Sequence, residues 1–243
     1  HLADTFQSLA DVMYKITVIV MEFSPIGVCA LLADSVGAYG LSIFGPLGKL
    51  ILTVYAADVI LVLAMYIPMV ALMARFPLKQ FFQGIWKVWV ITASTTSSAG
   101  SLPVTTSVTN DDFGVSPELS SFSLPLGATI NMNGGCIFYA AAIVLTAQVY
   151  NVQLTPAAML SIVLSTVLVA MGCPGVPGGA IIMTTILLTN MGLPLEIVGL
   201  IAGIFRLIDM ADTVFNVTGD VVTTMVVARS ENMIQPPVPA GKH

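Results

Sequence analysis

Thr92-Ala-Ser-Thr-Thr-Ser-Ser-Ala-Gly-Ser101 splits an otherwise apolar region into two halves, one running from Ile85 to Ile91 and one resuming as Leu102-Pro-Val104. Neither half is long enough to cross a hydrocarbon layer of about 30 Å. Hydroxyl side chains compete for backbone hydrogen bonds, and Gly and Pro break helices, so one continuous spanning helix does not fit. The pattern predicts a helical hairpin near 81–110 that enters and leaves by the same face, its tip tolerated because it lines a polar cavity. A second break, Gly172-Cys-Pro-Gly-Val-Pro-Gly-Gly179, divides two apolar halves between Met159 and Leu188 and predicts a hairpin near 156–190. Paired broken segments are the mark of membrane folds with an internal inverted repeat.

The solvent follows from composition. Of 243 residues, 56% are hydrophobic and 9% are charged, against roughly 25% charged in a soluble domain. So few charges cannot cover a water-facing surface, and the chain reads as an all-α integral membrane protein. The net charge of −5 comes with eight scattered Lys and Arg. No basic stripe results, which sets nucleic-acid binding aside. Cys29, Cys136 and Cys173 lie in apolar segments without metal-ligand spacing and read as buried free thiols. The two histidines are His1 and His243, so an interior site lacks the commonest general base and metal ligand. The chain starts at His1 and enters an apolar helical pattern at once, which reads as a fragment lacking its N-terminal part.

Continuous spans are expected from Leu9 to Ala33, bent at Pro25, and from Leu47 to Leu72, which is longer and more uniformly apolar than the first, with Lys49 near one end. Arg75, Lys79 and Lys87 follow, placing that connection on the cytoplasmic side by the positive-inside rule. A third span, Phe122 to Ala147, is interrupted at Asn131-Met-Asn-Gly-Gly135. The last, Ile197 to Val227, carries Arg206, Asp209, Asp212, Asn216 and Asp220. Each ionisable group at that depth costs at least about 2.5 kcal/mol on insertion scales, so this helix must face protein, ions or a cavity. Asp209, Thr213, Asn216 and Asp220 share one helical face, with Asp212 at its edge.

Four ordered motifs carry a resemblance: Ser97-Ser-Ala-Gly-Ser-Leu-Pro-Val-Thr105, Leu124-Pro-Leu-Gly-Ala-Thr-Ile-Asn-Met-Asn-Gly134, Gly175-Val-Pro-Gly178 and Asp209-Met-Ala-Asp-Thr-Val-Phe-Asn-Val-Thr-Gly-Asp220. Together they closely resemble the dicarboxylate/amino acid:cation symporter family, from its fifth helix to its C-terminus. The resemblance implies an inverted-repeat elevator transporter with two re-entrant hairpins, assembled as a homotrimer in the plasma membrane. Residues 1–37 would belong to a fixed trimerisation scaffold and 38–243 to a moving transport domain.

A zwitterionic amino acid needs donors for its carboxylate and an acceptor for its ammonium. Half-helix N-termini and free amides around Ser97 and Ser98 supply the first, with Asn216 adding an amide donor. By the resemblance, Asp209 takes the amino group, and Val176, Gly178, Asp212 and Thr213 complete the substrate site. Unwound carbonyls at Asn131-Met-Asn and Gly172-Cys suit a small cation. The resemblance implies one Na+ site from Gly127, Asn131, Asn216 and Asp220, and a second from Thr129 with the backbone of Ala170, Met171 and Cys173. Protons are the alternative coupling ion, and no organic cofactor is implied.

Two departures stand out. Asn133 replaces the Asp of sodium-coupled members, which weakens a third cation site. Asp212 stands where carriers of acidic amino acids have Arg. Two carboxylates about 4 Å apart repel by roughly 4 kcal/mol at an effective dielectric of 20. A neutral polar or cationic amino acid is therefore expected, with an acidic one as the alternative. Arg206 lies about 240° around the helix and about 9 Å along it from Asp212, and is expected to pair with Asp209 or Asp212 across a turn. An intramembrane enzyme built on Asp209 and Asp212 lacks a second carboxylate-bearing element, and a passive channel does not need paired hairpins.

Overall fold

A computed structural model describes residues 44–234 without a break, and scattered positions between Thr5 and Gly40. The expected span from Leu9 to Ala33 with its bend at Pro25, and the terminal histidines, lie largely outside the described residues.

Among the described residues the chain is all helical, with a single isolated bridge between Val115 and Ile234. The first helix, α1 (Phe44–Leu61), continues through two wider turns, Val62–Tyr66 and Met69–Met73, to make one apolar rod of 30 residues. Pro68 lies between the wider turns. It lacks an N–H and its ring displaces the carbonyl four residues back, and the rod absorbs this by opening its pitch rather than by breaking. Leu47, Leu50, Val54 and Asp58 form its buried stripe, and the last of these is a carboxylate.

α2 (Leu78–Thr95) and α3 (Ser98–Asp111) form the first hairpin. The ten-residue interruption expected here shrinks to Thr96 and Ser97. Thr92 donates its hydroxyl to the Val88 carbonyl, and Ser94 and Thr95 donate theirs to Ile91, so these side chains return their hydrogen bonds to the helix that holds them. The turn is made by Thr96, held in the left-handed region at φ 48°. Pro103 stands inside α3 rather than ending it.

α4 (Pro117–Ile130) and α5 (Asn133–Val149) form a second apolar rod, Pro117–Val149, broken only at Asn131 and Met132. α6 (Pro156–Ala170) and α7 (Gly179–Asn190) make the second hairpin around the expected break. α8 (Glu196–Ser230) is unbroken through its ionisable residues.

Two apolar clusters share α8 as a spine. One gathers Phe138, Tyr139, Leu187, Leu188 and Ile201 and ends at Ile208. The other gathers Tyr66, Phe81, Ile85, Phe113 and Met225 and begins on α8 at Val217. The polar stretch of α8 occupies the gap between them. Outside, Leu52 is 72% exposed and Leu168 70%, with Leu72, Trp86 and Phe122 similarly open. An apolar surface this extensive suits lipid or a protein partner, not water. Cys29 is exposed and Cys136 half-buried, and Cys173 alone is buried, which corrects the expectation of three buried thiols. In a chain solvated by lipid, an apolar segment has no need to hide its thiol in the chain's own core.

Gly134 lies where α5 crosses α8, and a Cβ there would come within 2.6 Å of the Asp212 Cα. Backbone cannot move aside as a side-chain tip can. Gly134→Ala is expected to lower stability by about 1–3 kcal/mol, read as a lower thermal midpoint of the detergent-purified protein. Gly172→Ala, whose nearest neighbour lies 3.7 Å away, is expected to leave the midpoint almost unchanged.

Candidate functional site

Six half-helices end or begin at one level. The C-termini of α2, α4 and α6 and the N-termini of α3, α5 and α7 all lie at the three breaks. N-terminal ends favour negative charge and C-terminal ends favour cations, so the breaks supply both polarities at one place. Opposite them runs the polar stretch of α8. Asp209, Asp212, Thr213, Asn216 and Asp220 are each at least nine-tenths buried. Asp212, expected at the edge of the stripe, is as buried as its centre.

The first break is tied to the second hairpin directly. Ser97 caps α3 by accepting the Gly100 N–H at 3.0 Å, and it donates its hydroxyl to the Gly175 carbonyl at 2.9 Å. The Ala99 N–H donates to the same carbonyl at 3.1 Å. Gly175 packs so closely on the Ala128 carbonyl that a Cβ would meet it at 2.5 Å. The donors around Ser97 and Ser98, expected to be free for a carboxylate, are thus partly taken by Gly175 in this arrangement.

The second hairpin also reaches α8. The Gly178 N–H donates to Asp209 Oδ2 at 3.4 Å, and Gly178 adopts φ 78°, a conformation that favours glycine. A small, partly open cavity follows, lined by Thr96, Ser98, Met132, Tyr139, Cys173, Gly175, Val176, Asp209, Asp212, Thr213 and Asn216. Ser98, Val176, Asp209, Asp212, Thr213 and Asn216, all singled out from sequence, therefore share one wall system. Ser97 and Gly178 abut it through the bonds above.

The third break holds a second polar cluster. Asn131 donates its amide to Asp220 Oδ1 at 2.7 Å and more weakly to the Asn216 carbonyl at 3.4 Å. Gly127 packs directly on the Asp220 carboxylate. The expected set of Gly127, Asn131, Asn216 and Asp220 is assembled as one group. In the other expected set each residue is tied to its own segment. Thr129 is exposed and spends its hydroxyl on the Leu126 carbonyl, and the Ala170 carbonyl accepts the Cys173 N–H. Met171 is exposed. Each of these groups answers to its own helix end, because an exposed hydroxyl bonds most readily to the nearest free carbonyl.

Asn133 has a structural role. It donates to the Tyr66 hydroxyl at 2.9 Å, which donates in turn to the Phe215 carbonyl at 3.0 Å. Asn216 accepts the Gly134 N–H at 2.7 Å on its side-chain oxygen and points its amide at the Met132 sulfur. Thioether sulfur is a weak acceptor, so the amide can turn to a better one.

Arg206 departs from expectation. It forms no ion pair with Asp209 or Asp212. It donates instead to Thr96 Oγ1 at 2.5 Å and to the Ser94 carbonyl at 2.8 Å, capping the C-terminal end of α2. Sequence reasoning missed Asp58, Tyr66 and Tyr139. A carboxylate inside an apolar rod is a signal visible in the sequence, whereas the tyrosines are indistinguishable from packing residues until their partners are seen.

The profile of the sodium:dicarboxylate symporter family matches residues 1–230. The chain is 34% identical over 226 residues to the proton/glutamate-aspartate symporter of Bacillus subtilis (strain 168), covering 93% of the chain and 54% of that protein. It is 31% identical over 231 residues to the protein of the same name from Escherichia coli (strain K12), covering 95% and 52%. To human excitatory amino acid transporter 2 it is 30% identical over 222 residues, covering 90% and 38%. The chain thus spans about half the length of the bacterial relatives and less of the human one.

Ser97→Ala removes both the α3 cap and the hydroxyl bond to Gly175. A lost cap costs about 1 kcal/mol. Amide exchange in peptides covering 97–101 and 174–178 is expected to speed up together, while peptides from α8 stay protected. Acceleration in only one of the two segments would show that the tips are not joined through this residue.

Proposed function

The chain belongs to the sodium:dicarboxylate symporter family, and from that premise we propose that the complete protein is a secondary active symporter that carries an amino acid with Na+ or H+. The observation that carries the reading is the meeting of the two hairpin tips over the carboxylates of α8, through Ala99 N–H to Gly175 and Gly178 N–H to Asp209. A small cavity bounded by two separable hairpins is what alternating access requires, and a transporter, not an enzyme, makes use of it. In this reading α2–α3 and α6–α7 are re-entrant hairpins. Residues 38–243 move as a transport domain past a scaffold that includes 1–37, in an elevator motion within a homotrimer of the plasma membrane.

Asp209 takes the substrate ammonium, and the donors now on the Gly175 carbonyl take its carboxylate. Na+ sits among Gly127, Asn131, Asn216 and Asp220. Turning the Asn131 amide over would present an oxygen in place of the N–H that now holds Asp220, and hard oxygens are the ligands a small cation takes.

The side chain of the substrate falls beside Asp212. Both oxygens of that carboxylate are buried without a hydrogen-bond partner, and the charged groups acting on it are two further carboxylates, Asp58 and Asp209. An acidic side chain would add repulsion where nothing offsets it, so the reading is a neutral polar or cationic amino acid. The names of the relatives favour the second reading, an acidic amino acid. Arg206 at the first hairpin tip is the cation available to it.

Uptake into proteoliposomes of the complete protein separates these readings. Under an inward Na+ gradient, with a proton gradient as comparison, labelled serine or lysine is expected to accumulate and aspartate not. Aspartate accumulation would favour the second reading, and no gradient-driven uptake of any of the three would overturn symport. Asp220→Asn is expected to raise the Na+ concentration for half-maximal uptake at least about tenfold, equivalent to about 1.4 kcal/mol of lost ion binding. A proton-driven carrier would show no such shift.

A further inference from the structure

Asp58 is the residue left unexplained by the site described above. It is fully buried, and neither of its carboxylate oxygens has a hydrogen-bond partner. Asp212 is in the same condition. A lone buried carboxylate is costly and is ordinarily paired, so two such groups call for a joint explanation.

Their relative position follows from two hydrogen bonds. The Tyr55 hydroxyl donates to the Leu207 carbonyl at 2.8 Å and the Tyr66 hydroxyl to the Phe215 carbonyl at 3.0 Å. These bonds lay α1 and its continuation alongside α8 in the same direction. They bracket Asp58 on one rod and Asp212 on the other. Asp58 ends the buried stripe of Leu47, Leu50 and Val54, on the face that packs against α5 and α8. Asp209 stands one turn before Asp212 on the same helix. Neither Asp58 nor Asp212 has a hydrogen bond from a described Lys or Arg. Arg206 acts on Asp209 but spends its hydrogen bonds on the first hairpin.

Asp212 also lines the cavity that holds Asp209, and the Tyr139 hydroxyl on the same wall is buried without a partner too. The cavity therefore runs from Asp209, a carboxylate suited to an α-ammonium, to Asp212, while Asp58 on α1 is not part of its lining. We propose that Asp58 and Asp212 together receive the cationic side-chain head of a dibasic amino acid, and that Asp58 on α1 is a specificity-determining residue. This rests on the proposed amino-acid site and narrows its substrate class. A coupling metal ion is the other source of positive charge. The pair is the poorer host for one, because no group of three or more Asp, Glu, His or Cys suited to a metal exists among the described residues. An alkylammonium or guanidinium brings several N–H donors at once, and these can satisfy both carboxylates.

The test is ligand-dependent thermal stabilisation of the complete protein purified in detergent, which reads binding without requiring transport. Lysine is compared with norleucine, which keeps the chain and lacks the ammonium, and with Na+ alone. Lysine is expected to raise the midpoint where norleucine does not. Asp58→Asn is expected to raise the half-saturating lysine concentration at least tenfold without moving that for Na+, and Asp58→Glu to retain the lysine response.

Equal responses to lysine and norleucine, or none to either, would overturn the proposal on the wild-type protein alone, whatever the variants do. An unchanged lysine response in Asp58→Asn would overturn the role of Asp58. A shifted Na+ response with lysine inert would assign the pair to the coupling ion and overturn the proposal as well. Failure of gradient-driven uptake would remove the symport reading and leave lysine binding to be decided here. Uptake of serine with no lysine binding would do the reverse.

Discussion

A helix broken inside an apolar environment leaves backbone groups that water cannot satisfy, and the rest of this structure depends on how they are satisfied. Each unpaired group there costs several kcal/mol, roughly as much as a small domain can spare. The chain contains three such breaks, and α8 or a neighbouring break answers each. Asn216 accepts the Gly134 N–H at the head of α5, Asp209 accepts the Gly178 N–H, and Arg206 reaches the Ser94 carbonyl at the end of α2. Gly175 closes the circuit by accepting from Ser97 and Ala99. The polar stripe of α8 is therefore structural glue as well as a candidate site. That double duty explains why it is buried in the gap between two apolar clusters and not spread along the helix.

The same groups are what a substrate and an ion would compete for. The Gly175 carbonyl occupies donors suited to a carboxylate, and the Asn131 amide occupies an Asp220 oxygen suited to a cation. Protein–protein hydrogen bonds of this kind hold the cavity walls together without making them inert, because each can be exchanged for a ligand bond of similar strength. Glycine makes the arrangement possible at the crossings. Gly127, Gly134 and Gly219 each sit where a Cβ would strike the Asp220 carboxylate, the Asp212 backbone or the Tyr66 hydroxyl.

Charge is the least balanced feature. Asp209 and Asp212 line the cavity, Asp58 is buried on α1 without a partner, and Arg206 directs its hydrogen bonds to the first hairpin. At the surface Lys87 pairs with Asp112, an exposed contact that contributes little to stability. An imbalance at the cavity points to a ligand that completes it.

Much of this was legible in residue order. Broken apolar segments, four ordered motifs and the spacing of Asp209, Thr213, Asn216 and Asp220 determined an all-helical chain with its polar face on the last helix, because helical periodicity and helix-breaking chemistry are local. The family follows from the same motifs. Local rules misjudged the length of the first break, since hydroxyls at Thr92 and Thr95 bond back to their own helix. They also could not pair elements far apart in sequence. That Arg206 caps α2 and leaves Asp212 alone, that Asn131 meets Asp220, and that Asp58 on the first rod and Asp212 on the last are both buried without a partner were decided by tertiary packing alone. The physical reason is that a buried charge is defined by what surrounds it, and those neighbours are brought together only when the helices close.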